Sequence, residues 1–177
     1  ISTISIRGNG KILLDGDIKT SDANGDASAP SLTLTGAVEL QSNTSITTDT
    51  AGTDGIISFT SSIDSISSGT KTLTIDSGTA ATTVSGNIGT NKALAGLTIN
   101  SANTDTGAIT LTGIGTGTAA TGSGAAAVTV GSTGTTTLTL AGSTYNIDGA
   151  ADFESVTGAD KIVLTGASPT FTLHNDD

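Results

Sequence analysis

The pentapeptide I-T-L-T-G at 109–113 alternates apolar and hydroxyl residues and closes on a glycine. Close variants start at Ile12 (ILLDGDI), Leu32 (LTLTGAV), Ile57 (ISFTSSI), Thr82 (TTVSGNI), Leu138 (LTLAGST) and Ile162 (IVLTGAS). That makes seven copies, at intervals of 20, 25, 25, 27, 29 and 24 residues. Self-similarity at such a period marks stacked-repeat architectures, in which no single unit can bury its apolar face without neighbours. The pattern therefore predicts an all-β chain folded as a parallel β-helix, or β-solenoid, of about seven coils with 20–29 residues per coil.

A strand repeats every two residues, so positions one and three of each copy should face inward and positions two and four outward. The inward set is Ile12 and Leu14, Leu32 and Leu34, Ile57 and Phe59, Val84, Ile109 and Leu111, Leu138 and Leu140, and Ile162 and Leu164. Position five is Gly or Ser, where the chain is expected to bend and a side chain would crowd the next coil. A second series lies between the copies: SITTD, TLTIDS, GLTINS and AVTVGS, led by Ile46, Leu73, Leu97 and Val128. Each coil then carries at least two strands joined by turn-rich connections such as DTAGTDG (49–55) and NTDTGA (103–108). Equivalent strands of successive coils must run in the same direction, which makes the sheets parallel.

Composition agrees with a narrow tube. The 177 residues include three Phe, one Tyr and no Trp, Cys or Met, so the interior must be built from Ile, Leu, Val and Ala. Strong helix formers are scarce. The formal charge is −10, and the six Lys plus Arg are scattered singly, which leaves no electrostatic footprint for nucleic acid or an anionic membrane. Neither nucleic-acid binding nor membrane insertion is expected, and no run of eighteen apolar residues exists. A chain that starts at Ile1 and lacks methionine is expected to be a processed or excised piece of a longer protein. No composition shift marks a boundary, so 1–177 reads as one solenoid module, with the charged DFESVTGADKIVL and polar LHNDD at 152–177 as a candidate C-terminal cap. TGTAATGSGAAA (116–127) reads as a loop bulging from the rod.

The stretch ISFTSSIDS…KTLTIDSGTAATTVSGNIGTNKALAGLTINSA at 57–102 resembles the repeats of large bacterial surface adhesins of the filamentous-haemagglutinin and autotransporter type. In those repeats a threonine-rich strand, a Gly-Asn-Ile-Gly or similar turn and an LTI or LTV strand alternate. The resemblance extends over about 32–142 and is compositional in character. It implies a right-handed parallel β-helix, export to the cell surface and a role as stalk, fibre or adhesin.

Two sets of residues are candidates for contact with something outside. Asp22, Asn24 and Asp26 have the D-x-N-x-D spacing with which calcium loops alternate oxygen ligands. Ala27 and Thr33 depart from the remainder of such a loop, and an Asx-rich turn accounts for the same residues. No cofactor is expected, with calcium at these three residues as the one candidate. Asp49 and Asp54, flanking a glycine turn, form a weaker candidate of the same kind. The outward positions read Thr33/Thr35, Ser58/Thr60, Thr83/Ser85 and Thr110/Thr112, continued by Thr139 and Thr165, and stacking would make them a hydroxyl ladder. Such Thr-x-Thr arrays resemble the flat faces of β-solenoid ice-binding proteins, although threonine is also a favoured residue of any exposed strand. Asp76 and Asn100 hold equivalent places in successive second-series strands and should stack outward. His174 sits in a polar tail and reads as solvated.

No nucleophile motif, phosphate loop or zinc spacing is present. The expectation is a non-enzymatic structural or adhesive module, extracellular or at the cell surface, that self-associates end to end or contacts a host, cell or abiotic surface. The alternative is an ice- or surface-binding protein using the Thr-x-Thr face, and a carbohydrate-active β-helix enzyme stands behind both.

Overall fold

The computed structural model describes residues 3–20, 29–115, 124–147, 149–154, 161–166 and 170–173. Every regular element among them is a strand. The first two coils hold β1 (Thr3–Leu14), β2 (Ile18–Lys19), β3 (Ser31–Leu40) and β4 (Thr44–Thr47). The next two hold β5 (Ile57–Phe59), β6 (Ile63–Ser65), β7 (Thr72–Asp76), β8 (Thr82–Ile88) and β9 (Gly96–Ile99). Then follow β10 (Ile109–Ile114), β11 (Val128–Val130), β12 (Thr137–Leu140), β13 (Thr144–Ile147), β14 (Ala151–Phe153), β15 (Lys161–Leu164) and β16 (Thr170–Leu173).

The strands form two parallel sheets. One has ten strands, with the path β1-β3-β5-β8-β10-β12-β15 and β6, β13 and β16 beside it; the other has six, in the order β14-β11-β9-β7-β4-β2. The longer path thus has seven rungs, while six rungs in the second sheet enclose five complete turns. This is a β-solenoid.

Side chains stack in columns because the register carries each apolar position onto its equivalent one coil later. Position one runs Ile4, Leu32, Ile57, Thr82, Ile109, Leu138, Ile162. Position three runs Ile6, Leu34, Phe59, Val84, Leu111, Leu140, Leu164. Beyond the bend, a third column runs Ile12, Val38, Ile63, Ile88, Ile114, Tyr145, Phe171. The second sheet adds Ile18, Ile46, Ile75, Ile99, Val130 and Phe153. From Leu32 to Leu140 the apolar members of these columns are buried and form one continuous core. Tyr145 is the largest side chain in it, and its hydroxyl donates to Leu111 O at 3.1 Å, which satisfies the one polar atom of the ring.

The bend between the first and third columns is held at position five. A Cβ on Gly142 would overlap the carbonyl of Thr112, and one on Gly86 would overlap the backbone of Ser61 and Ser62. Successive backbones pass there too closely for a side chain. The expected role of these glycines is therefore met at both positions.

Several expectations need correction. The first copy of the repeat starts at Ile4, not Ile12, so the first interval is 28 residues. Gly8, Asn9 and Gly10 form a bulge in β1 opposite Gly36, and this carries Ile12 past position one into the third column beside Val38. In the second sheet Ile46 pairs with Ile75, and Leu73 pairs with Thr44. A slip of two residues keeps the same face inward, so alternation alone could not detect it. Ile162 and Leu164 hold their places in the columns yet are 45% and 52% exposed, because among the described residues β15 pairs only with β12. Asn100 does not stack outward with Asp76. Its φ of 45° turns the side chain to the interior, where Nδ2 donates to Ser77 Oγ at 3.1 Å and Oδ1 accepts from Ser77 N at 2.9 Å. Part of the proposed 116–127 loop belongs to the wall: Ala125 is buried and bridges Leu94 and Ile147.

Candidate functional site

Two surface features can act on a partner: rows of hydroxyls and a cluster of aspartates. The register aligns position two as Ser5, Thr33, Ser58, Thr83, Thr110 and Thr139, an uninterrupted line of hydroxyl residues that ends at Val163. Thr33, Ser58, Thr83, Thr110 and Thr139 are each half-buried by their strand neighbours. The row at position four (Thr35, Thr60, Ser85, Thr112, Thr165) is less regular. Ala141 interrupts it before Thr165, and a register shift sets Ser85 and Gly86 against Thr112 alone. One row is thus strictly periodic and its neighbour is not. The second sheet carries a row of its own, Ser45, Thr74, Thr98 and Thr129, aligned by the same pairing. That row escaped sequence reasoning, although the alternation in SITTD and TLTIDS contains its signal.

The aspartates gather where the second sheet hands the chain back to the first: Asp49 and Asp105 lie on the connections after β4 and β9, and Asp76 is the last residue of β7. Asp49, Asp76 and Asp105 each offer a carboxylate oxygen, and these oxygens lie within 4.8 Å of one another. Asp49 is exposed, Asp76 half-buried and Asp105 buried. They stand at or beyond the ends of the second-series strands, at separations of 27 and 29 residues, close to the coil length, so stacking gathers what the sequence scatters. Asp54 completes the group. Its Oδ2 accepts from Thr79 N and Thr79 Oγ1, both at 2.7 Å, and its Oδ1 accepts from Thr50 N at 2.8 Å. Gly78, at φ 55°, leaves room beside Asp49 and Asp54 that a Cβ would take away.

Electrostatics divides the four acids. Burial, then the charges of Asp76, Asp54 and Asp105, push the Asp49 carboxyl above the ordinary aspartate range. Burial does the same to Asp76, against a weaker opposing bond from Gly78 N, with Asp105 and Asp54 adding to the rise. Burial also acts on Asp54, but the donors of Thr79 and Thr50 outweigh it and hold that carboxyl below the usual range. Asp105 is anchored by Ala102 N, which donates to Oδ2 at 2.9 Å. Chemically, the carboxyls of Asp49 and Asp76 hold a proton more readily than free aspartates do, and the converging oxygens of Asp49, Asp76 and Asp105 are of the type that hard divalent cations take. Hydrolysis of a sugar would further require rings or cations to grip the substrate. The described ring contacts, Tyr145 with Phe171 at 4.9 Å and both with Phe153, lie in the sixth and seventh coils, away from the aspartates.

The other site expectations fall elsewhere. Asp22, Asn24, Asp26 and His174 lie outside the described residues. No helix among the described residues is long and apolar enough to cross a membrane, which says nothing of spanning by strands. Compared with family models, curated proteins and solved structures, the chain matches none of them.

Proposed function

We propose that this chain is a non-enzymatic structural and adhesive module of an extracellular or cell-surface fibre, supplying length, stiffness and a repetitive polar exterior. The observation that carries this reading is the pair of in-register hydroxyl rows on the two sheets, borne on columns of buried aliphatic side chains. Residues are spent on repetition of one surface, and the resemblance of 57–102 to bacterial adhesin repeats points the same way. Its partners are a host, cell or abiotic surface and further coils of its own kind; nucleic acid and the membrane interior are not among them, and no cofactor is required. The test is retention of the purified chain on such surfaces in flow. Retention that falls when Thr83, Thr110 and Thr139 are together replaced by Lys supports the reading, and unaltered retention removes the hydroxyl rows from it.

A second reading, ice or crystal-surface recognition, is favoured by the strict periodicity of the Ser5–Thr139 line, which would present hydroxyls at the strand spacing of about 4.8 Å. Replacing Thr83 and Thr110 with Tyr should then abolish inhibition of ice recrystallisation. A parent chain without inhibition ends that reading.

A further inference from the structure

The first and last rungs are complementary to one another. β1 pairs with β3 alone and β15 with β12 alone, so among the described residues each presents an unpaired strand edge at opposite ends of the same sheet. On the last rung Ile162, Leu164 and Phe171 are 45%, 52% and 42% exposed. On the first rung Ile4 is 39% exposed, and Ile6 and Ile18 are half-buried. These are members of the very columns that are sealed everywhere between.

We infer that a second copy of this chain seats its first rung on the last rung of the copy before it, in the same parallel register that joins coils within one molecule. The inference rests on the fibre reading and specifies its partner. Ile4 would cover Ile162, Ile6 would cover Leu164, and Ile12 would sit against Phe171. On the second sheet Ile18 would cover Phe153.

Charge favours the same polarity. Three of the six cations, Arg7, Lys11 and Lys19, lie in the first coil, whereas the last described segment of the second sheet ends in the exposed acids Asp152 and Glu154. Continuing the columns puts Lys19 over Glu154, since Lys19 aligns with Thr47 and Asp76 one place beyond Ile18, Ile46 and Ile75, and Glu154 follows Phe153. Asp17 falls over Asp152, an unfavourable pair, but its carboxylate is turned to its own second coil, where it accepts from Ser45 N at 2.7 Å. Lys11 is likewise engaged by Glu39 in the second coil of its own molecule. A junction of two different faces does not close on itself, so it propagates as a filament. The covered edges and apolar residues supply the drive, as they do wherever an exposed strand edge meets a matching one.

The experiment uses the full 177-residue chain and two variants, Leu164→Asp, which spoils the last rung, and Ile6→Asp, which spoils the first. Sedimentation velocity should show the parent growing with concentration into linear multiples of the monomer, visible as thin rods in negative stain. Each variant alone should associate at least tenfold more weakly while keeping the parent's β-rich circular dichroism. Mixing the two should restore one junction only, giving dimers and nothing longer. The charge exchange K19E with E154K should leave association intact while either substitution alone weakens it. A parent that stays monomeric at all concentrations overturns the inference, as does assembly that both variants leave unchanged. The fibre-module reading is judged separately, by surface retention of the monomeric variants.

Discussion

At the scale of single residues, the aspartate cluster is where chemistry departs most from a passive wall. Asp49 and Asp76 have carboxyls raised first by burial and then by neighbouring aspartates, Asp76, Asp54 and Asp105 acting on Asp49, and Asp105 and Asp54 on Asp76, and the sign of the consequence follows from linkage. A raised folded-state value means the native chain binds the proton more tightly than the unfolded chain. Their contribution to stability therefore declines as pH rises from the ordinary aspartate value of 3.8 through the raised values, and stays low above them. Asp54, held low by Thr79 and Thr50, works in the opposite sense and loses its contribution as pH falls through its depressed value. Asp49→Asn should remove repulsion at neutral pH and raise the melting temperature by roughly 1–2 °C, the size expected for a few tenths of a kcal/mol at a solvent-screened site. Calorimetric melts from pH 3 to pH 7.5 check this. An Asn variant that melts below the parent at pH 7 would show that Asp49 is held by attraction, contrary to the geometry.

At the scale of the strand and its bend, position five and position three make different demands. Gly142→Val places a branched side chain against the Thr112 carbonyl and is expected to cost about 3 kcal/mol or more, since main chain cannot yield as a side-chain tip can. Leu111→Ala, which empties a fully buried place between Val84 and Leu140, should cost about 2–5 kcal/mol. Thr110→Ala, one residue away on the outer face, should lie within about 0.5 kcal/mol of the parent. Urea titrations of the three variants order these effects. Equal losses at Leu111 and Thr110 would contradict the assignment of inner and outer faces. The Leu34–Leu111 alternation was legible because one face is buried and the other wet, a contrast that the pattern records directly. The bulge of Gly8, Asn9 and Gly10 was not legible. ILLDG reads as well as any other copy, and only pairing with β3 shows that Ile12 belongs beside Val38.

At the scale of the molecule, each coil touches only its neighbours, so coupling should be short-ranged. Leu34 and Leu140 stand four rungs apart in one column, with Phe59, Val84 and Leu111 between them. Losses from Leu34→Ala and Leu140→Ala should therefore add to within about 0.5 kcal/mol, whereas Leu111→Ala and Leu140→Ala, on adjacent rungs, should not. Double-mutant cycles by chemical denaturation test the contrast. Strong coupling across the four rungs would mean that the rod melts through a shared core deformation and not coil by coil.

The amino-acid sequence by itself determined the class of fold, the parallel sense of the sheets and the inner and outer faces. These follow from a period of two within strands and a repeat of about one coil, both properties of the chain read along its length. Tertiary structure alone decided what depends on register and on approach across coils. It moved the first rung to Ile4, slipped Ile46 onto Ile75, turned Asn100 inward and aligned a second hydroxyl row. It also drew Asp49, Asp76 and Asp105 together from separate turns. The physical reason is the same in each case. Alternation is indifferent to a shift of two residues or to the length of a turn, whereas a hydrogen-bonded ladder selects one pairing, and with it the neighbours of every side chain.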